Sequence, residues 1–174
     1  MKIIEKPEPG EYPFYACMYI DLLPDDGLLL KHLKDNLDMV KALVSSLPEE
    51  KWNYRYAPDK WTIKEVLVHI IDDERIYAYR ALCFARNEKT SLPGFEQDEY
   101  VLYSNANERS ISNIMEEYEA VRLATIALFN GFDQTALMRL GVANKNMATV
   151  RALGYHIAGH ELHHINIIKE KYLS

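Results

Sequence analysis

Residues 61–86 read WTIKEVLVHIIDDERIYAYRALCFAR. Thr62 followed three residues later by Glu65 forms a capping box, in which each side chain satisfies a backbone N–H that the first helical turn leaves unpaired. From there Ile63, Val66, Ile70, Tyr77, Ala81 and Phe84 recur along one face, and the pattern fades near Arg86. The stretch predicts a long amphipathic helix, which can bury its stripe only against other elements.

Upstream, Leu29, Leu33, Leu37, Val40, Val44 and Leu47 recur at spacings of three and four. They predict a first helix from about Pro24 to Ser46, with Pro24 opening it and Pro48 closing it. Downstream, NEKTSLPGFEQDEYVLYSNAN (87–107) contains a Pro93-Gly94 turn and is too long for a tight bundle connection. A third helix is expected from roughly Glu108 to Phe129, with Ile111, Met115, Tyr118, Arg122, Thr125 and Phe129 near one stripe, stopping at Asn130-Gly131. A second long connection leads to Thr149, which is placed to cap a fourth helix. No strand-like alternation of useful length is evident. The fold class expected is all-α: a four-helix bundle with long connections between helices two and three and between helices three and four.

At 174 residues, with 48% hydrophobic and 26% charged residues, the chain has the balance of one soluble domain spanning 1–174. Residues 1–23 are read as a leader packing on the bundle. A formal charge of -6 would repel a phosphate backbone, so nucleic acid is not an expected partner. The leader lacks a secretory pattern, and no apolar run approaches the ~20 residues of a bilayer span. Neither export nor a membrane is expected. Two cysteines, Cys17 and Cys83, lack disulfide or C-x-x-C spacing, which points to a reducing, cytoplasmic setting.

The fourth segment, GYHIAGHELHHINIIKEKY (154–172), holds four of the six histidines. On a wheel of ~100° per residue with His156 at zero, Leu153, Ile157, Ile167 and Ile168 span about 20° to 120°. His160 and His164 fall at about 40° and 80°, inside that arc. His156 and His163 lie near its edge. Two imidazoles four residues apart on an inward face can offer nitrogens to one ion, whereas buried and unpaired they would be costly. Hydrogen bonding to neighbouring helices is the plainer alternative. His69, at the margin of the second helix's stripe, is the preferred third ligand over His32, which sits in the polar stretch KHLKDN. Three neutral nitrogens leave a coordination position open for water or substrate, the ligand count of a catalytic site.

HELHH also contains H-E-x-x-H at 160–164, with Glu161 in the general-base position. The metalloprotease pattern is incomplete. Ile167 and Glu170 stand where a metzincin needs glycine and a third ligand, and Glu161 at about 140° is expected toward solvent.

The segments KWTIKEVLVHIIDDERIYAYRALCFAR, LPGFEQDEYV and TVRALGYHIAGHELHH, together with the leader EKPEPGEY, resemble the DinB/YfiT-like family of metalloenzymes over nearly the whole chain. The resemblance implies a metal held by His69, His160 and His164, and a bundle whose second and third helices run the same way, with helix four opposing helix two. It implies either transfer of a low-molecular-weight thiol such as bacillithiol, glutathione or mycothiol to an electrophile, which is the preferred expectation, or metal-dependent hydrolysis. A non-catalytic binding bundle is the competing class. Zinc or nickel leads the candidate divalent metals, with iron, copper or manganese as alternatives.

Among supporting residues, Asp73 points inward on the wheel while Asp72 is the commoner family position, and either could orient a ligand ring. Arg80 faces roughly as His69 does and could hold a substrate carboxylate or make a structural pair. Tyr77, Tyr79, Tyr100, Tyr103 and Tyr155 could polarise substrate or simply pack. His156 and His163 are read as second partners or surface groups, and the 92–107 connection as a cover for the cavity or a strap. A spare apolar bundle face would be compatible with a homodimer.

Overall fold

The computed structural model describes residues 2–173. A short helix α1 (Cys17–Ile20) precedes four long ones: α2 (Leu29–Ser46), α3 (Ile63–Ala85), α5 (Ile111–Gly131) and α7 (Val150–Ile167). Between α3 and α5 lies α4 (Gln97–Tyr103). Between α5 and α7 lie α6 (Gln134–Leu137) and an antiparallel hairpin, β1 (Leu140–Ala143) and β2 (Asn146–Thr149). A π-helical turn, Ile168–Tyr172, continues α7. No helix among the described residues is long and apolar enough to cross a membrane.

The expected caps of α3 and α7 are in place. Thr62 Oγ1 accepts from Glu65 N at 3.1 Å, and Glu65 Oε2 accepts from Thr62 N at 2.7 Å. Thr149 Oγ1 accepts from Ala152 N at 3.2 Å. Two other starts differ from expectation. Ser110, accepting from Asn113 N, opens α5 at Ile111 rather than near Glu108. Pro24 does not open α2, which begins at Leu29. The chain first turns through Gly27, whose φ of +69° suits glycine, and the Gly27 carbonyl accepts from Ile4 N at 2.9 Å. A side chain at residue 27 would meet Ile3 Cγ2 at 2.7 Å. The leader therefore occupies the space an earlier helical turn would need. It also crosses the start of α7, where Glu11 accepts from Thr149 and Arg151.

The hairpin corrects the expectation of no strands. Asn144 and Lys145, at φ 49° and 64°, form a two-residue turn of the kind that matches strand twist. Leu92 N donates to Val142 O, and Asn144 N to Leu92 O, so the two long connections are joined edge to edge.

Side-chain pairs give the helix directions. Contacts along α3 and α5 rise together, Thr62 and Glu65 with Asn107 just before α5 and then Glu74 with Arg122 within it, so these helices are parallel. Contacts between α3 and α7 run oppositely: His69 meets His160, whereas Tyr77 stacks on His156. The second and third bundle helices run the same way, as the resemblance implied.

Two apolar clusters fill the bundle, one around Leu29, Phe84, Phe129 and Leu153, the other around Val40, Leu67, Ile114 and Ile165. A buried polar network lies between them. Arg122 on α5 donates to Glu74 of α3 at 2.8–3.2 Å, to Glu161 of α7 at 2.9 Å through both terminal nitrogens, and to the Leu33 carbonyl of α2 at 2.7 Å. The Tyr118 hydroxyl also donates to Glu161. Burial, reinforced by the like charge of Glu74, pushes the Glu161 carboxyl well above the usual carboxylate range. One guanidinium cannot neutralise two buried carboxylates in full.

Replacing Arg122 by Met leaves both carboxylates without their cation. A stability loss of about 3–5 kcal/mol is expected, read as a lower urea midpoint at unchanged slope. An unchanged midpoint would show that the network contributes nothing.

Candidate metal centre

His69 lies two turns into α3, and His160 and His164 lie one above the other on the facing side of α7. Because α3 and α7 are antiparallel, the three rings meet. His160 Nε2 is 3.2 Å from His69 Nε2 and 3.1 Å from His164 Nε2, and one nitrogen of each ring lies within 4.8 Å of the others. Two nitrogens held ~2.0–2.1 Å from a tetrahedral ion would be about 3.3 Å apart. The two spacings from His160 fit a divalent cation.

His160 is oriented from behind. Its Nδ1 lies 3.3 Å from Asp73 Oδ2, and the same oxygen lies 3.4 Å from His156 Nε2. With Nδ1 protonated towards Asp73, Nε2 of His160 presents a lone pair to the shared point. That one lone pair cannot align with both neighbouring rings at once, which is what a cation would resolve. Asp73 Oδ2 and His156 Nε2 are also the buried side-chain polar atoms, among the described residues, that have no hydrogen bond of good geometry. Unsatisfied polarity is thus concentrated beside the triad.

Burial holds all three imidazoles below their ordinary value, His160 to about 3 and His164 to about 2, so they are neutral and able to ligate. For Asp73, burial alone would raise the carboxyl; the adjoining His160 and His156 outweigh it, and the group stays ionised.

Two aromatic residues enclose the rings. Trp61 lies 4.8 Å from His69 and 6.4 Å from His164, centroid to centroid. Tyr19 presents its ring at 5.1–5.3 Å to His156, His160 and His163. Tyr19 comes this near because residue 159 is glycine: a Cβ there would sit 2.1 Å from the Tyr19 carbonyl oxygen. Two clefts flank the centre. One is lined by His156, His160, Tyr77, Phe95, Glu96 and Asp98, the other by Trp61, His164, Gln97, Asp98, Asp59 and Tyr172. Asp98 belongs to both walls, and its charge favours the protonated form of His69.

Other residues singled out by sequence fall elsewhere. Glu161, expected toward solvent, is fully buried and committed to Arg122 and Tyr118 on the opposite side of α7, which removes it as a general base for the histidine centre. The wheel misplaced it because residues 150–161 are buried without interruption, so α7 has no wet face there. Of the three acids after His69, Asp73 backs His160, Glu74 serves Arg122, and Asp72 is only half-buried. Arg80 is buried and donates to the Pro93 carbonyl at 3.0 Å. Tyr77 stacks on His156 at 3.7 Å, Tyr155 tethers the Ile4 carbonyl, and Tyr79, Tyr100 and Tyr103 are exposed. His32 pairs with Asp26 away from the centre. Trp61, Tyr19 and Asp98 were not anticipated. Trp61 adjoins the Thr62 cap and Asp98 lies in the 92–107 connection, so both had a positional hint; Tyr19 had none.

A bundle with parallel second and third helices, carrying three histidines between its second and fourth, defines a class of metal-site bundles. The chain belongs to the DinB superfamily, whose family model matches residues 32–168. It is similar in structure to YfiT from Bacillus subtilis, described as a probable metal-dependent hydrolase with an unusual four-helix bundle topology. The TM-score is 0.70 at 16% identity, covering 85% of this chain and 90% of that one, which is a likeness of fold. No curated protein is significantly similar in sequence.

Asp73→Asn is expected to weaken divalent-metal affinity about 10–100-fold, and His69→Ala to abolish stoichiometric binding, both measured by competition with a chromogenic chelator. Metal-stripped protein should also lose stability in acid. The folded pKa values lie below the unfolded value of 6.5, so the folded state binds fewer protons than the unfolded chain between 6.5 and about 3. The contribution is complete above pH 6.5 and declines through that window. Denaturation midpoints that stay flat from about pH 7 to 4 would contradict the burial of neutral rings.

Proposed function

We propose that this chain is a metal-dependent enzyme that hydrolyses a small molecule at a centre held by His69, His160 and His164. A divalent ion bound there, zinc or nickel first, supplies Lewis acidity and draws the pKa of a coordinated water or thiol towards neutrality. The observation that carries the proposal is the donor set: three neutral imidazoles, with His160 Nε2 3.1–3.2 Å from a nitrogen of each of the other two, beside a cleft whose wall bears a free carboxylate, Asp98.

The chain's own residues have distinct tasks. Asp73 holds His160 in the tautomer that frees Nε2. Trp61 and Tyr19 keep bulk water from two sides of the rings. Asp98, exposed on the cleft wall, is available to accept a proton from the attacking group. Glu96, Asp98 and Asp59 make the approach to the centre acidic. That favours a neutral or cationic group at the point of reaction. Thiol transfer, the first expectation from resemblance, would use the same ion to favour a thiolate, but no group in the clefts is specific to a thiol.

Protein reconstituted with zinc or nickel should turn over members of an ester and amide panel without added thiol. His69→Ala should abolish this, and Asp98→Asn should lower kcat by about 10²–10⁴-fold at unchanged metal content. Turnover that requires a thiol and an electrophile would replace hydrolysis by transfer. Stoichiometric metal with no turnover in any combination would leave a binding module.

A further inference from the structure

His69, Asp73, Tyr77 and Arg80 follow one another at spacings of four, four and three along one face of α3. The first three belong to the centre and its surroundings. Arg80 does not, and its charge is unaccounted for. It is 5% exposed, its one hydrogen bond among the described residues goes from Nη2 to the Pro93 carbonyl, and no carboxylate pairs with it there. The other two buried arginines differ: Arg122 lies between Glu74 and Glu161, and Arg151 is bonded to Glu11. A guanidinium taken from water without a counter-charge is costly, and four of its five N–H groups remain to be used.

The surroundings are shaped for a ligand. The guanidinium carbon lies 4.9 Å from the centroid of Tyr77 and 5.9 Å from that of Phe95, which holds the planar fork in place. Arg80 lines two adjoining cavities. One is bounded by Tyr12, Tyr15, Tyr77, Phe84 and His156, the other by Ile76, Leu92, Pro93, Phe95 and Tyr100. Both share wall residues with the cleft beside His160, the first Tyr15, Tyr77 and His156, the second Phe95.

We propose that Arg80 is an anion subsite, which binds the carboxylate of a small molecule with an apolar body lying in the second of these cavities, against Ile76, Leu92, Phe95 and Tyr100, and its other end towards the metal centre. From the guanidinium, steps of 4.9 Å to Tyr77, 3.7 Å to His156 and 5.4 Å to His160 lead to the triad. These steps run through the rings themselves and set an upper bound on the separation, and an extended molecule of about 13 Å, roughly four residues of strand, is of that order and would lie beside them. Charge sets its direction. Glu96 and Asp98 repel a carboxylate from the metal end, and Arg80 attracts it at the far end. The subsite rests on the proposed hydrolysis only for what happens at the other end of the molecule.

The test is binding without turnover. Calorimetric titration of 3-phenylpropionate and of its neutral amide compares wild type, Arg80→Gln and Arg80→Lys, each metal-loaded, with His69→Ala, which lacks the metal. The acid should bind about tenfold or more tightly than the amide to wild type and to His69→Ala. That preference should vanish in Arg80→Gln and persist, reduced, in Arg80→Lys, which keeps the charge but loses the fork. A merely structural Arg80–Pro93 tie would change the unfolding midpoint without an acid preference to lose. Equal binding of acid and amide overturns the proposal. So does an acid preference kept in Arg80→Gln and lost in His69→Ala, because the carboxylate then sits on the metal. An inactive enzyme that retains the Arg80-dependent preference would defeat hydrolysis and leave the subsite standing.

Discussion

Arg122 of α5 donates at once to Glu74 of α3, Glu161 of α7 and the Leu33 carbonyl of α2, so a single buried guanidinium ties its own helix to the other three of the bundle. Apolar stripes are tolerant of sliding, because one leucine replaces another in contact. A bidentate charge pair is not. A slip of one helical turn, ~5.4 Å, would strand Glu74 or Glu161 in the apolar interior without a cation. Glu161 adjoins His160 in sequence, and Glu74 lies five residues beyond His69. The register that satisfies Arg122 is therefore also the register that brings His69 Nε2 to 3.2 Å from His160 Nε2.

Consecutive residues on these helices do opposite work because they point ~100° apart. On α3, Asp73 faces the histidines and Glu74 faces Arg122; on α7, His160 faces the cleft and Glu161 faces the interior. One pair of helices thus carries both a structural ion network and a candidate metal centre, back to back. The two carboxylates backing these systems meet different fates. Asp73 has imidazoles around it and stays ionised, while Glu161, fully buried and beside the like charge of Glu74, is pushed upward.

Features that depend on spacing within one helix were legible in the sequence. The Thr62–Glu65 box, the fading of α3 near Arg86 and the inward pair His160 and His164 are of this kind, and the family resemblance agreed with His69 as their partner. Features set by tertiary contact were not. Pro24 carries a helix-start signal, but Ile4 bonds to Gly27 and displaces the start to Leu29. The hairpin has four residues per strand and turns through Asn144-Lys145 without a glycine, below what periodicity can detect. Asp72 and Asp73 are chemically the same and differ only in direction, which depends on where α7 lies. Tyr19 approaches from the opposite end of the chain, through a gap that only the missing Cβ of Gly159 provides.

The parallel arrangement of α3 and α5 has a consequence for the centre. Parallel neighbours cannot be joined by a short turn, so the chain must travel the full length of α3 before α5 can begin. That return is residues 86–110, and it passes over the face where α3 meets α7. It supplies Phe95, Glu96, Gln97 and Asp98 to the clefts, and its Leu92 is bonded to the β1–β2 hairpin, itself part of the second long connection. Arg80 then ties the return to α3 through the Pro93 carbonyl. The walls around the three histidines are in this sense a product of topology: a bundle with antiparallel neighbours and tight turns would bring the same rings together on a bare groove.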